Sequence, residues 1–324
     1  YKRSIFANTY TMKKIFVTRN IPGNGLNLFR EKGWEVVVNP NDRVLTRDEI
    51  KEGVRGADAI LSMLTDKMDA EIMDAAGPRL KVIANFAVGY DNFDLVAGKT
   101  HNVYMTNTPG VLTETVAEHT FALILAIAHR IPESDAYTRA GKYKCWAPEM
   151  FLGNDVSQKT IGILGLGRIG SRVAKHAVEG FEMKVLYYDV KRNEEFEKQF
   201  NAKYGTVEEI LKNADFVSVH VPLTPDTRHL INRERLALMK PTAYLVNTSR
   251  GPVIDEAALV AALKNKIIKG AALDVYEKEP ELTQGLAELT NVIITPHTAS
   301  ATEETRGKMG EVAAFNIIES LEGR

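Results

Sequence analysis

Hydrophobic and polar positions along the chain fall into two alternating kinds of segment. Short, dense apolar runs predict strands over residues 15–18, 35–38, 59–64, 81–85 and 103–106. Between them, helical spacing predicts helices over 25–32, 46–53 and 70–76. Strands alternating with helices imply a parallel sheet covered on both faces. Pro109-Gly110 ends this series, and a helix is predicted over 113–130 with Glu114 and Glu118 near its positive end. Its later part, Phe121-Ala122-Leu123-Ile124-Leu125, is apolar all round, which predicts burial between domains or subunits.

A second alternating series begins at Lys159, with strands predicted over 160–164, 183–188, 216–220, 243–247, 271–275 and 292–295. Helices are predicted over 168–179, 207–212, 233–239 and 256–265. A last helix over 303–321 places Met309, Val312, Ala313, Ile317 and Leu321 on one stripe that needs a surface to cover, and the first domain is expected to supply it. Two doubly wound parallel-sheet units therefore share 324 residues, in keeping with about 150 residues per domain.

Composition narrows the partners. Lys and Arg total 41 against 42 Asp and Glu, a net charge of -1, so no positive field holds nucleic acid or an anionic membrane. A small molecule is the expected partner. The longest apolar run, residues 121–128, is far shorter than the roughly 20 residues that span a bilayer. Cys145 is the only cysteine, which forbids an internal disulfide and fits a reducing compartment, so a cytoplasmic location is expected. Residues 1–11 are polar and irregular, with Lys2 and Arg3 but no apolar run of signal-peptide length, and are expected to be an extension.

The chemistry begins at Gly165-Leu166-Gly167-Arg168-Ile169-Gly170, which stands between a predicted strand and a predicted helix. In that context Gly165 permits a tight turn, Gly167 lets backbone approach a pyrophosphate, and Gly170 lets helix and strand pack closely. The next strand ends in Tyr187-Tyr188-Asp189, and Asp189 lies near the spacing of about 20 residues expected for an acid that binds the adenosine ribose. Lys191 and Arg192 follow it and argue the other way, since cations there partly neutralise the repulsion of a 2′-phosphate.

Three further polar residues come directly after strands of the second series: Arg250, Glu279 and His297. Ligands of open parallel sheets bind outside the strand carboxyl ends. A guanidinium there grips a carboxylate through two parallel hydrogen bonds. An imidazole there gives a proton to a carbonyl oxygen that receives hydride, and a carboxylate beside it fixes the tautomer. The competing reading makes Arg250 a helix-end ion pair, Glu279 a solvated loop charge and His297 a turn residue. His119, His129, His176 and His220 show no spaced carboxylate partner and are read as structural, and no metal site is expected.

These residues resemble the D-isomer-specific 2-hydroxyacid dehydrogenases. The likeness is carried by Gly165 to Gly170 with Asp189, Asn247-Thr248-Ser249-Arg250-Gly251, Gly270 to Tyr276 leading to Glu279-Pro280, and Thr295-Pro296-His297. It runs from about Met12 to the final helix. Within the family the chain looks most like glyoxylate/hydroxypyruvate reductases, through Asn85 to Asn92, Thr106 to Gly110, and Trp146 with Phe151-Leu152-Gly153.

The resemblance implies an α/β protein in which a Rossmann dinucleotide-binding domain, 111–297, is inserted in a flavodoxin-like substrate domain, 12–110 with 298–324, with the active site in the cleft between them. It implies a catalytic set of Arg250, Glu279 and His297. Cofactor contacts carry onto Thr115, Gly165, Gly167, Arg168, Ile169, Gly170, Asp189, Pro222, Thr248, Ser249, Asp274 and Ser300. Substrate contacts carry onto Val88 and Gly89, whose N–H groups form an anion nest, together with Arg250, His297 and Trp146. The expected reaction reduces a small 2-keto acid with NADH, preferred over measurable NADPH use, in a homodimer. D-lactate or D-3-phosphoglycerate dehydrogenases and an NAD-sensing corepressor-like binding protein are the alternatives. Glu279, where formate dehydrogenases of this fold carry Gln, argues against formate. The end at Arg324 leaves no expected room for a serine-sensing regulatory domain.

Overall fold

The computed structural model describes residues 12–324, so the expected extension at 1–11 lies outside the described residues. The chain divides into two units: one runs to Leu112 and resumes at Thr302–Arg324, and the other is Thr113–Ala301.

The first unit contains β1 (Lys14–Val17), α1 (Gly25–Glu31), β2 (Glu35–Val38), α2 (Arg47–Gly53), β3 (Ala59–Ser62), α3 (Ala70–Ala76), β4 (Val82–Asn85), α4 (Leu95–Thr100) and β5 (Tyr104–Thr106). Its strands are all parallel in the order β2-β1-β3-β4-β5, the flavodoxin order. The central strands β3 and β4 are buried along their whole length, as a sheet covered on both faces requires. Ile50 of α2, Val54 at its C-cap, and Ile72 and Met73 of α3 pack on Phe16, Ile60 and Ile83 of the sheet. Thr46 and Glu49 form a reciprocal capping box that starts α2.

The second unit contains α5 (Thr113–Ala128), α6 (Ile131–Arg139), β6 (Thr160–Leu164), α7 (Arg168–Phe181), β7 (Lys184–Tyr188), α8 (Glu194–Phe200), β8 (Lys203–Tyr204), α9 (Val207–Asn213), β9 (Phe216–Val219), α10 (Arg233–Leu236), β10 (Tyr244–Asn247), α11 (Glu256–Lys264), β11 (Gly270–Leu273) and β12 (Val292–Ile294). Its parallel strands run β12-β11-β10-β9-β6-β7-β8. From the β8 edge that is the Rossmann order with β12 added, and it reverses between β6 and β9. One apolar layer joins the sheet to α9 and α11, the other to α5 and α7.

Two expectations about the helix over 113–130 change. The predicted helix over 113–130 stops at Ala128, because Arg130 takes a left-handed backbone (φ 55) and Pro132 then opens α6. The apolar face of α5 is consumed inside the second unit, where Phe121 stacks on Phe181 of α7 at 5.2 Å and Ile124 and Ile127 join the layer against the sheet. A surface between domains or subunits is not needed to explain that apolarity.

The last helix, α12 (Glu303–Glu322), packs on α1 and β4. Its buried stripe is Met309, Ala313, Ala314, Ile317 and Ile318, so Ala314 and Ile318 take places expected of Val312 and Leu321. Glycines let α1 approach it. A Cβ on Gly25 would stand 2.5 Å from the Gly310 carbonyl oxygen, and one on Gly23 would stand 2.7 Å from the Gly307 Cα. Gly25→Ala is therefore expected to push the helices apart and cost about 1–3 kcal/mol, read as a lower urea midpoint. Gly180→Ala, on α7 with open space around it, is the contrasting variant and should hold or gain stability.

Candidate active site

Apart from Trp146, which follows α6, every site residue singled out in the second unit lies after the carboxyl end of a parallel strand, or in the first turn of a helix that such a loop feeds. Gly165 follows β6 with φ 99, donating its N–H to the Tyr188 carbonyl at 2.8 Å, and a Cβ there would stand 2.8 Å from the His220 carbonyl carbon. A Cβ on Gly170 would stand 2.0 Å from the Gly165 carbonyl oxygen, so α7 is seated tightly on the turn. Gly167, the N-cap of α7, is different: nothing lies within 4 Å of its absent Cβ. Protein packing does not explain a glycine there, whereas a phosphate approaching the N-terminus of α7 does. Asp189 closes the loop, its Oδ2 accepting the Leu166 N–H at 2.6 Å. The turn thus fits a dinucleotide pyrophosphate with a carboxylate for the ribose beside it. Arg168 and Ile169 occupy the first turn of α7, Thr115 that of α5, and Pro222 the loop after β9.

After β10, the fully buried Asn247 shapes the turn that presents Arg250. Its Nδ2 donates to the Arg250 carbonyl at 2.9 Å, while its Oδ1 accepts from the Ser249 N–H at 3.0 Å and hydroxyl at 2.8 Å. Thr120 Oγ1 donates to the Val116 carbonyl, so the Thr248 hydroxyl, 2.9 Å away, donates to Thr120. Gly251 then lies flat on the next loop, where a Cβ would stand 1.8 Å from the Tyr276 carbonyl oxygen.

Asp274 comes directly after β11 and has no solvent contact. Its Oδ1 accepts from the Thr295 hydroxyl at 2.6 Å and the Thr298 N–H at 2.8 Å, and its Oδ2 accepts from the Ala299 N–H at 2.8 Å. Burial alone would raise this carboxyl, but the nearby His119 and hydrogen bonds from Thr295, Thr298 and Ala299 outweigh it and hold it below the ordinary carboxylate value. His119, read from sequence as lacking a carboxylate partner, stands 3.6 Å from Asp274 Oδ1 by tertiary contact.

The loops after β11 and β12 converge on one pair. His297 Nδ1 lies 2.9 Å from Glu279 Oε2, with both side chains partly open to solvent. Glu279 Oε1 accepts the Tyr276 N–H at 3.0 Å, and the Tyr276 hydroxyl donates to the Thr295 carbonyl at 2.6 Å. Burial pushes the Tyr276 hydroxyl up to about 12, so it stays a donor. His297 itself has φ 55, an uncommon backbone for a residue with a Cβ. Ser300 ends this loop, half-buried. By contrast Trp146 is 76% exposed and makes none of the contacts that hold this group.

In the first unit, Val88 and Gly89 follow β4. Asn85 Nδ2 donates to the Gly89 carbonyl and Asn107 Nδ2 to the Val88 carbonyl, both at 2.8 Å, so these peptides are oriented by their oxygens. Among the described residues no helix is long and apolar enough to cross a membrane.

From sequence, Asn247, Gly251 and Tyr276 are named only as members of the family motifs, without a role of their own, and His119 is read as structural.

Comparison with known proteins places this geometry in company. The model of the D-isomer specific 2-hydroxyacid dehydrogenase NAD binding domain matches residues 121–299. The glyoxylate reductase of Pyrococcus furiosus is 47% identical over 94% of this chain and 91% of its own length. A crystal structure of a protein from Thermus thermophilus superposes with a TM-score of 0.91 at 44% identity, covering 96% of this chain and 97% of that one. The D-lactate dehydrogenase of Aquifex aeolicus, solved with NAD and lactic acid, superposes with a TM-score of 0.82 at 33% identity and covers 96% of each chain.

Asp274→Asn is expected to destabilise the second unit by about 2–5 kcal/mol at neutral pH, since an amide cannot accept at both ends and a buried charge network is broken. A carboxyl whose folded value is depressed contributes stability above its unfolded value and loses it as pH falls through the folded one. The gap in melting temperature between wild type and variant should therefore be constant near neutrality and narrow below about pH 3.8, the ordinary value. A gap unchanged down to the acid limit would count against the carboxylate role.

Proposed function

The chain belongs to the D-isomer-specific 2-hydroxyacid dehydrogenases, and from that premise we propose that it reduces a short 2-keto acid of the glyoxylate and hydroxypyruvate class to the 2-hydroxy acid. The observation that carries this reading is the His297–Glu279 pair, 2.9 Å apart, beside the Arg250 turn on adjacent strands of a sheet whose far loop is built for a dinucleotide. The family's relatives, named for glyoxylate reduction and solved with NAD and lactic acid, support it.

A bound nicotinamide supplies the hydride. Arg250 holds the substrate carboxylate through its planar fork, which also orients the neighbouring carbonyl. His297 donates Nδ1–H to Glu279 and therefore presents Nε2 to the carbonyl oxygen, to which it passes a proton as negative charge develops there. Glu279 stabilises the imidazolium before transfer and keeps the ring from rotating. In the first unit the Val88 and Gly89 carbonyls are tied back by Asn107 and Asn85, which supports reading the N–H groups of this turn as an anion nest. Asp189 takes the adenosine ribose hydroxyls and repels a 2′-phosphate, so NADH is preferred over NADPH.

His297→Ala is expected to lower kcat by roughly 100- to 10,000-fold on glyoxylate and hydroxypyruvate while NADH still binds, as measured by steady-state rates and fluorescence titration. Arg250→Lys should raise KM and lower kcat together. Full turnover in His297→Ala on every 2-keto acid would sink the mechanism. Partner-peptide affinity with negligible wild-type turnover would point instead to the corepressor-like reading.

The assembly we propose is a homodimer, and it rests on the segment from α6 to Gly153. Helix α6 buries none of its residues, and Ile131, Tyr143, Trp146 and Leu152 are each more than half exposed. The segment is nevertheless anchored: Tyr137 packs edge-on against Phe151, and Gly153 lies against the Ala128 carbonyl. An ordered apolar surface of this kind suits a second copy of the chain. Sedimentation at micromolar concentration should give the mass of two chains, and Trp146→Ala should weaken association; a wild-type monomer would overturn the assignment.

A further inference from the structure

Arg192 and Lys191 are the two cations that follow Asp189, and they are the groups a 2′-phosphate would call on. Arg192 is engaged elsewhere. Its Nε donates to Glu197 Oε1 and its Nη2 to Glu197 Oε2, each at 2.8 Å, a two-pronged pairing of the strong kind. Glu197 is fixed from behind. Its Oε1 also accepts the hydroxyl of Tyr187 at 2.7 Å, and Tyr187 is a fully buried side chain of β7 whose oxygen accepts the Asn193 N–H at 2.8 Å. The Glu197 side chain is only 15% exposed, whereas that of Arg192 is 56% exposed. A core residue therefore sets the carboxylate, the carboxylate sets the guanidinium, and the cation is held against α8.

We infer that Glu197 is a specificity-determining residue for the dinucleotide: by holding Arg192 on α8 it denies a 2′-phosphate its guanidinium partner and reinforces the choice of NAD(H). This rests on the proposed placement of the adenosine ribose at Asp189. To serve a 2′-phosphate, Arg192 would have to leave Glu197 or bring the phosphate dianion beside the Glu197 carboxylate. Either course costs affinity. The pairing with Arg192 and then the bond from Tyr187 hold the Glu197 carboxyl down at about 2, so the pair stays charged throughout the working pH range.

Isothermal titration of NAD+ and NADP+ against the full-length protein tests the inference without turnover. Glu197→Gln keeps an acceptor for Tyr187 while removing the charge, and Glu197→Met, of similar length, removes both prongs should the amide retain Arg192. The expected result is NADP+ binding tightened about tenfold relative to NAD+, a difference of about 1.4 kcal/mol. That gain should vanish in Glu197→Gln with Arg192→Gln, and Arg192→Gln alone should leave both affinities as in the wild type. The inference is overturned if Arg192→Gln alone weakens NADP+ binding, if neither Glu197 variant moves the ratio, or if the gain survives loss of Arg192. Asp189→Ser separates the two levels. If it shifts the ratio toward NADP+ while the Glu197 variants do not, only the present inference fails; if it shifts nothing, the ribose placement itself fails.

Discussion

A carboxylate cut off from water has to have its charge met by hydrogen bonds, and Asp274 meets that demand with the loop that carries His297. Thr295, Thr298 and Ala299, residues on both sides of the histidine, all donate to it. Leaving any of those bonds unmade would strand charge in a site with no solvent contact, which is far more costly than the bond is worth when made. The loop is therefore not free to relax, and His297 is kept in a left-handed backbone that it would otherwise leave. The histidine's geometry is a consequence of an electrostatic requirement located one to two residues away on either side.

From that anchor the remaining parts of the group follow by contact. Tyr276 reaches the Thr295 carbonyl with its hydroxyl and Glu279 with its N–H, so one residue spans the two loops whose side chains form the His297–Glu279 pair. Gly251 is pressed against the Tyr276 carbonyl, which ties the Arg250 turn to the same residue. No side chain other than hydrogen fits at that crossing. A β-carbon there would have to separate the Arg250 turn from the Glu279 loop, and under the proposed function a shift between those two is the kind of error that catalysis tolerates least.

What could be read from sequence was what depends on local pattern. The fully buried strands β3, β4, β9, β10 and β11 announce themselves as apolar runs, and Gly165 to Gly170 announces a turn because three positions without a Cβ have no cheaper explanation. Helix α6 was invisible because Ile131–Arg139 buries nothing and so carries no apolar stripe. Helix α8 offers only Phe196 as a buried residue among charges, and α4 is six residues long. The positions of Arg250, Glu279 and His297 after strands were legible, but not that Glu279 would turn its two oxygens to different partners. His119 and Asp274 are far apart in the chain, and no periodicity relates them. Arg192 and Glu197 are only five apart, yet they pair across a loop and a helix start where spacing rules for helix faces do not apply.

The two units also solve one local problem in the same way. A parallel strand that ends in a buried sheet centre delivers its chain into a turn whose carbonyls point back toward an apolar interior, and those oxygens need donors. In the first unit the last residue of β4 is Asn85 and in the second the last residue of β10 is Asn247, both fully buried. Each turns its Nδ2 to a carbonyl of the loop that follows, Gly89 in one case and Arg250 in the other. An aspartate there would bring a carboxylate against a carbonyl oxygen, and a serine would fall short of it. The amide at the strand end is thus the element that ties each loop back to the sheet it leaves, the Val88–Gly89 turn in one unit and the Arg250 turn in the other.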